Sequence, residues 1–216
     1  PGVFSIATFH GQPSKGLTFT PHTIRSFDAF FLYGPLHKQA LDEYLADNPS
    51  VSADHLRIVP VGYPKSDRLV AGAYTRHDEL AKLRLDPSRP TVLYAPAFNQ
   101  GASLQEAGEA IVEELLAEGR LNVIVKLPVD CLGQSSSLAT TGGVDWFSKF
   151  ALREEQDPRF RLFRGLRIDP ALAASDVLIT CVSSVSFEFL AIGKPVVFID
   201  TPRFFSTYLK ARYPSV

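Results

Sequence analysis

The sequence contains no methionine and begins at Pro1, so it is expected not to represent a complete native product. Cysteine is nearly absent as well. Cys131 and Cys181 are too few for a disulfide scaffold and lack zinc-ligand spacing, and such sparse use fits a reducing compartment. No charge of one sign dominates: Lys and Arg number 22 against 23 Asp and Glu, a formal net charge of -1. That balance excludes a global basic field for nucleic acid or an anionic membrane and leaves only local patches. No apolar run approaches the ~20 residues that span a bilayer. The opening PGVFSIATFHG does not read as a secretory leader. No cluster of histidines and carboxylates has metal-ligand spacing, so no metal is expected.

What is present is a core-forming composition. Hydrophobic residues make up 45% of the 216 and charged residues 21%, which predicts packed globular structure in one large or two smaller domains. In the C-terminal half, residues 91–96 (TVLYAP) form a β-rich run. Residues 103–119 follow with helical apolar spacing at Leu104, Ala107, Ile111, Leu115 and Leu116, and Gly119 falls at the expected C-cap. Strands are predicted again at 122–127, 160–163, 176–180 (DVLIT) and 195–200 (PVVFID). Helices are predicted near 146–155, at 170–174 and at 184–192. The Ser/Thr/Gly-rich stretch 133–143 reads as a loop.

The N-terminal half has the same rhythm, less completely. Strands are predicted at 4–9, 29–33 and 56–61, and helices at 35–47 and 67–85. Alternating strands and helices imply α/β structure with parallel sheets and right-handed crossovers. Residues 86–90 (DPSRP), with two prolines and a serine, are the expected linker. That gives a partial N-terminal domain, 1–87, and a C-terminal domain, 88–216.

The strongest local motif is 175–188, SDVLITCVSSVSFE. Its strand ends at Thr180 and a helix starts near Ser183 and Ser184. In an open parallel sheet, ligands collect outside the carboxyl ends of strands, and a helix start offers N–H groups to an anion. Ser183 and Ser184 then suit a diphosphate and Glu188 a ribose. The bland alternative is a plain N-cap serine and a solvated glutamate. Lys126 ends a strand at the same edge as Thr180, with a side chain long enough for phosphate or merely for solvent. His10-Gly11 with Lys15-Gly16 follows the first strand and offers a base and a phosphate ligand, or else a structural histidine. Residues 62–67 (GYPKSD) combine a strand end, a tight turn and a charged pair, or simply form a turn with Asp67 near a helix start. Cys131 and Cys181 read as bland thiols.

In this order, these pieces resemble the CDP-glycerol glycerophosphotransferase family, which builds teichoic acids and related glycopolymers. The family's HG-x-x-x-K is similar to 10–15, its GYPR-x-D to 62–67 with Lys65 for arginine, its YAP strand to 94–96, and its LITDYSS-x-x-FD to 178–188. Cys181 and Val182 stand where the family usually has Asp and Tyr. The family's KLHP reads Lys126-Leu127-Pro128 here, without the histidine. That departure leaves open another group in its role, a divergent branch or an inactive protein.

The resemblance implies a glycosyltransferase-B-like architecture of two Rossmann-like domains, the N-terminal one incomplete. It also implies transfer of a phosphopolyol from a CDP-linked donor, a substrate and not a cofactor, to a polymer or lipid-linked hydroxyl. His10 and Lys15 are the expected catalytic pair. Lys65, Lys126, Thr180, Ser183, Ser184 and Glu188 are the expected nucleotide-binding set. The expected location is the cytoplasm, with peripheral contact at the inner membrane face and no nucleic-acid partner. Two alternatives stay open: a nucleotide-sugar glycosyltransferase or UDP-sugar epimerase of the same architecture, and a non-catalytic nucleotide-binding domain.

Overall fold

The computed structural model describes residues 2–9, 11, 19–132 and 141–209. The chain packs as two compact units, Pro1–Asp67 and Arg68–Val216.

In the first unit, β1 (Ile6–Thr8), α1 (Pro21–Ser26), β2 (Ala29–Leu32), α2 (Pro35–Asp47) and β3 (Arg57–Pro60) follow one another. All strand pairs are parallel and the sheet order is β1-β2-β3. The helix α1 was not expected. Its start is fixed by Thr20, whose hydroxyl accepts the N–H of Thr23, and by Pro21, which needs no N–H partner at that position. Ile24, Phe30, Leu32 and Leu41 fill the core around β2. Each is solvent-excluded, and such burial stabilises by about 1.5–3 kcal/mol per side chain.

The second unit begins with two short helices, α3 (Asp67–Val70) and α4 (Arg76–Leu83), where one helix over 67–85 was expected. Gly72 at φ 72° breaks the run, and Thr75 caps α4 by accepting the N–H of Asp78. Then come β4 (Thr91–Tyr94), α5 (Ser103–Ala117), β5 (Asn122–Val125), α6 (Trp146–Gln156), β6 (Phe160–Leu162), α7 (Asp169–Ala174), β7 (Val177–Thr180), α8 (Val185–Leu190) and β8 (Val196–Phe198). The five strands are parallel, in the order β6-β5-β4-β7-β8. All four side chains of β4 and of β5 are buried, as expected when helices cover both faces of a parallel sheet. One face packs Leu93, Ile124 and Leu178 against α4, α7 and α8, and the other packs Tyr94, Val123 and Val125 against α5 and α6.

The expected linker at 86–90 is therefore no boundary by packing. Leu80 and Leu85 sit in the second core. The Arg76 guanidinium donates to the Pro87 and Arg89 carbonyls and to both oxygens of Asp176. Turn-forming residues mark a break in local structure, and here tertiary contacts carry the unit across it.

Candidate functional site

Strand order places the site. In the second unit the chain fills the sheet outward from β4 to β5 and β6, then reverses to β7 and β8. The carboxyl ends of β4 and β7 thus diverge into loops on opposite sides, the crevice where open α/β sheets take their ligands. Two segments line this edge: residues 95–102 after β4, and Cys181, Val182, Ser183 and Ser184 after β7. Gly101, at φ 77°, lets the first segment run close to the backbone of 203 and 204. A Cβ there would lie 2.7 Å from the Phe204 nitrogen.

The serine turn has the exposure a ligand needs. Ser183 and Ser184 are both half-buried. The Ser183 N–H donates to the Cys181 carbonyl at 2.8 Å, which folds the chain sharply away from the sheet. Ser184 sits at the N-cap position of α8 with φ −66° and ψ −11°, and its hydroxyl makes no capping bond. Ser183 Oγ is 3.5 Å from the Val185 N–H, at the limit of a hydrogen bond. Neither hydroxyl is therefore firmly used in capping, against the plain N-cap reading. α8 has six residues, fewer than the expected 184–192, so its dipole is modest and the hydroxyls matter more.

Three expected donor-side residues are placed differently. Thr180 is fully buried and its hydroxyl donates to the Ala95 carbonyl at 2.7 Å, so it ties β7 to β4 and faces no ligand. Glu188 is 1% exposed. It lies within the packing of α8, which corrects the solvated-face alternative. Lys126 is half-buried and its Nζ donates to the Leu127 carbonyl at 2.9 Å. Burial pulls its ammonium below the ordinary lysine range, partly offset by Cys131. The Cys131 thiol is itself pushed up to about 12, chiefly by burial, and is no nucleophile.

Sequence reasoning missed one group at this edge. Cys181 is buried, and its sulfur accepts the Ala97 N–H at 3.3 Å and the Ser103 hydroxyl at 3.2 Å. Ser103 in turn meets the Tyr94 hydroxyl at 3.0 Å. Burial raises the Tyr94 phenol well above its usual range, so it stays protonated. The available signal was position: a polarisable side chain immediately after a central strand.

In the first unit, His10 and Lys15 lie outside the described residues. Lys65 is exposed in the one-turn 3-10 helix Pro64–Ser66 that follows β3, and Gly62 turns the chain there at φ 73°. At the same carboxyl edge the Tyr33 and Tyr63 rings pack with centroids 5.1 Å apart. Among the described residues, no group of three or more His, Cys, Asp or Glu side chains is arranged to hold a metal ion. Nor is any helix long and apolar enough to cross a membrane.

A family model described as CDP-glycerol:poly(glycerophosphate) glycerophosphotransferase matches residues 49–203. No curated protein matches in sequence. Among solved structures, the wall teichoic acid polymerase TagF superposes with a TM-score of 0.57 at 17% identity, covering 98% of this chain and 52% of that one. A variant of TagF soaked with CDPG gives 0.54 at 16% identity, covering 90% and 47%. The chain thus spans about half the length of the solved polymerase chains it matches. These likenesses establish the fold class, α/β with parallel sheets of the glycosyltransferase-B-like kind. With the family match extending over most of the chain, this protein belongs to the CDP-glycerol:poly(glycerophosphate) glycerophosphotransferase family.

Proposed function

We propose that the protein transfers a glycerol-phosphate or related phosphopolyol group from a CDP-linked donor to a hydroxyl of a cell-envelope polymer or lipid-linked acceptor. The observation that carries this reading is the serine turn at the switch point of the second sheet. There, two half-buried hydroxyls without firm capping bonds stand at the carboxyl edge between β4 and β7. A nucleoside diphosphate needs such donors around its bridging phosphates. Ser183 and Ser184 fill that role, and Lys65 and Lys126 add positive charge when their side chains turn to the ligand.

His10 is the general base on the acceptor hydroxyl, the proton-transfer role that histidine fills most often. The proton leaves the acceptor oxygen as that oxygen attacks the transferring phosphorus. The bond from phosphorus to the bridging oxygen breaks, and CMP departs. Lys15 offsets the charge on the transferring group. With a polymer or lipid-linked acceptor, the protein works at the inner face of the membrane through peripheral contact.

One set of measurements on the full-length protein tests the reading. Replacing both serines with alanine is expected to weaken CDP binding by roughly tenfold or more while the melting temperature holds. His10→Ala is expected to lower turnover of CDP-glycerol roughly a hundredfold or more, with CDP affinity little changed. Unchanged CDP affinity in the serine variant removes those hydroxyls from the donor site. CDP binding by the wild type without turnover favours a non-catalytic nucleotide-binding role, in keeping with Pro128 where the family carries KLHP.

A further inference from the structure

Ala97 in the segment after β4 and Cys181 in the turn after β7 are 84 residues apart in the chain, and a donor cradle between them depends on their spacing. One side chain joins them directly. Cys181 Sγ accepts from the Ala97 N–H on one side and from Ser103, the first residue of α5, on the other. The Tyr94 hydroxyl, at the end of β4, completes the chain through Ser103. All four residues are buried, and Cys181 itself is 3% exposed. Its own carbonyl receives the Ser183 N–H, so the residue that anchors the β4 side also starts the serine turn.

We propose that Cys181 is the positioning residue of the donor site, holding the serine turn in register with the segment after β4 through its sulfur acceptor. The inference rests on the donor-site reading above. Cys181 is too buried to touch the donor, so its influence passes through the placement of Ser183 and Ser184. Ser103 and Ala97 supply the two donors, so the sulfur acts as the common acceptor of one network.

The role predicts a graded response that a packing role would not give. Cys181→Ala removes the acceptor and leaves the Ala97 N–H and the Ser103 hydroxyl without it. Cys181→Ser keeps an acceptor oxygen at nearly the same point. Ser103→Ala removes one of the donors. CDP affinity would be measured by calorimetry on full-length protein, with melting temperature and, in a turnover assay, KM and kcat for CDP-glycerol.

The expected result is CDP binding weakened roughly threefold to tenfold in Cys181→Ala and restored to within about twofold of wild type in Cys181→Ser. The change should fall mainly on KM. The Cys181→Ala/Ser103→Ala double variant should bind CDP better than the sum of the two single effects predicts, because both act through one bond, and plain additivity overturns the network. Cys181→Ala protein that binds CDP as the wild type does, or Cys181→Ser that fails to restore binding while folding normally, overturns the inference alone. If the wild type itself fails to bind CDP, the donor-site reading and the inference fall together. Should Cys181→Ala not fold, the Cys181→Ser and Ser103→Ala pair decides: equal affinity in Ser103→Ala and wild type overturns the network.

Discussion

At the start of α2, His37 reaches back so that its Nδ1 accepts the Tyr33 N–H at 3.3 Å. That bond keeps the ring hydrogen on Nε2, which is buried without a hydrogen-bond partner among the described residues. Phe9, Phe19 and Tyr33 surround the ring, with centroids 4.6, 5.4 and 5.4 Å away. Burial pushes its pKa below the ordinary 6.5. The unfolded chain therefore binds a proton at a pH where the native ring stays neutral. The stability this gives is complete above about pH 6.5 and is lost as pH falls toward the native pKa, by at most about 1.4 kcal/mol per pH unit. Urea midpoints at pH 7.5 and 5.5 should fall less in His37→Gln than in the wild type. An equal fall in both would remove His37 as the source.

Single residues were legible to different degrees. The paired serines stood out because their type and their place at a strand-to-helix junction both point to anions. Thr180 and Glu188 were read as ligand groups because sequence shows residue type and not depth. A carbonyl from another strand claims the first, and the packing of α8 encloses the second. Cys181 was passed over for the same reason, since its two donors come from a segment remote in sequence.

Among elements, the eight strands of the described residues match the expected runs to within a few residues, because apolar runs between turns leave few other choices. Helices were harder where capping decides them, as at α1 and at the break between α3 and α4. The joint between α4, β4 and β7 shows what local pattern cannot reveal. Asp176 accepts from Arg76 Nε and Nη2, each at 2.9 Å, and from the Thr91 N–H at 2.8 Å. Arg76 also donates to the carbonyls of Pro87 and Arg89. The bidentate geometry makes this pair stronger than an ordinary surface bridge, although both side chains remain about one-third exposed. Asp176→Ala strands three donors at once and is expected to destabilise the protein by roughly 1–3 kcal/mol. Asp176→Asn should cost less, because one oxygen still accepts. Equal denaturant midpoints for Asp176→Ala and wild type would show that water replaces the carboxylate freely.

For the whole molecule, the two-unit plan followed from strand–helix alternation on both sides of a turn-rich stretch, but the place of division did not. Prolines at 87 and 90 suggested a linker, whereas packing assigns everything from Arg68 onward to the second unit. The difference can be tested with two fragments, 68–216 and 88–216. The shorter one loses Leu69, Leu80 and Leu85 from the core that also holds Leu93, Ile124 and Leu178. At about 1.5–3 kcal/mol for each buried leucine, that loss alone approaches the ~5–15 kcal/mol that stabilises a typical domain. It also removes Arg76, leaving Asp176 without its cation at the foot of the two central strands. The 68–216 fragment is expected to unfold cooperatively and, on the donor-site reading, to bind CDP. The 88–216 fragment should be largely unfolded or aggregated, with its apolar sheet face uncovered. Circular dichroism, thermal melts and calorimetry with CDP on both fragments decide the matter. A well-folded 88–216 fragment as stable as 68–216 would return the boundary to the proline-rich stretch and reduce α3 and α4 to a removable cover.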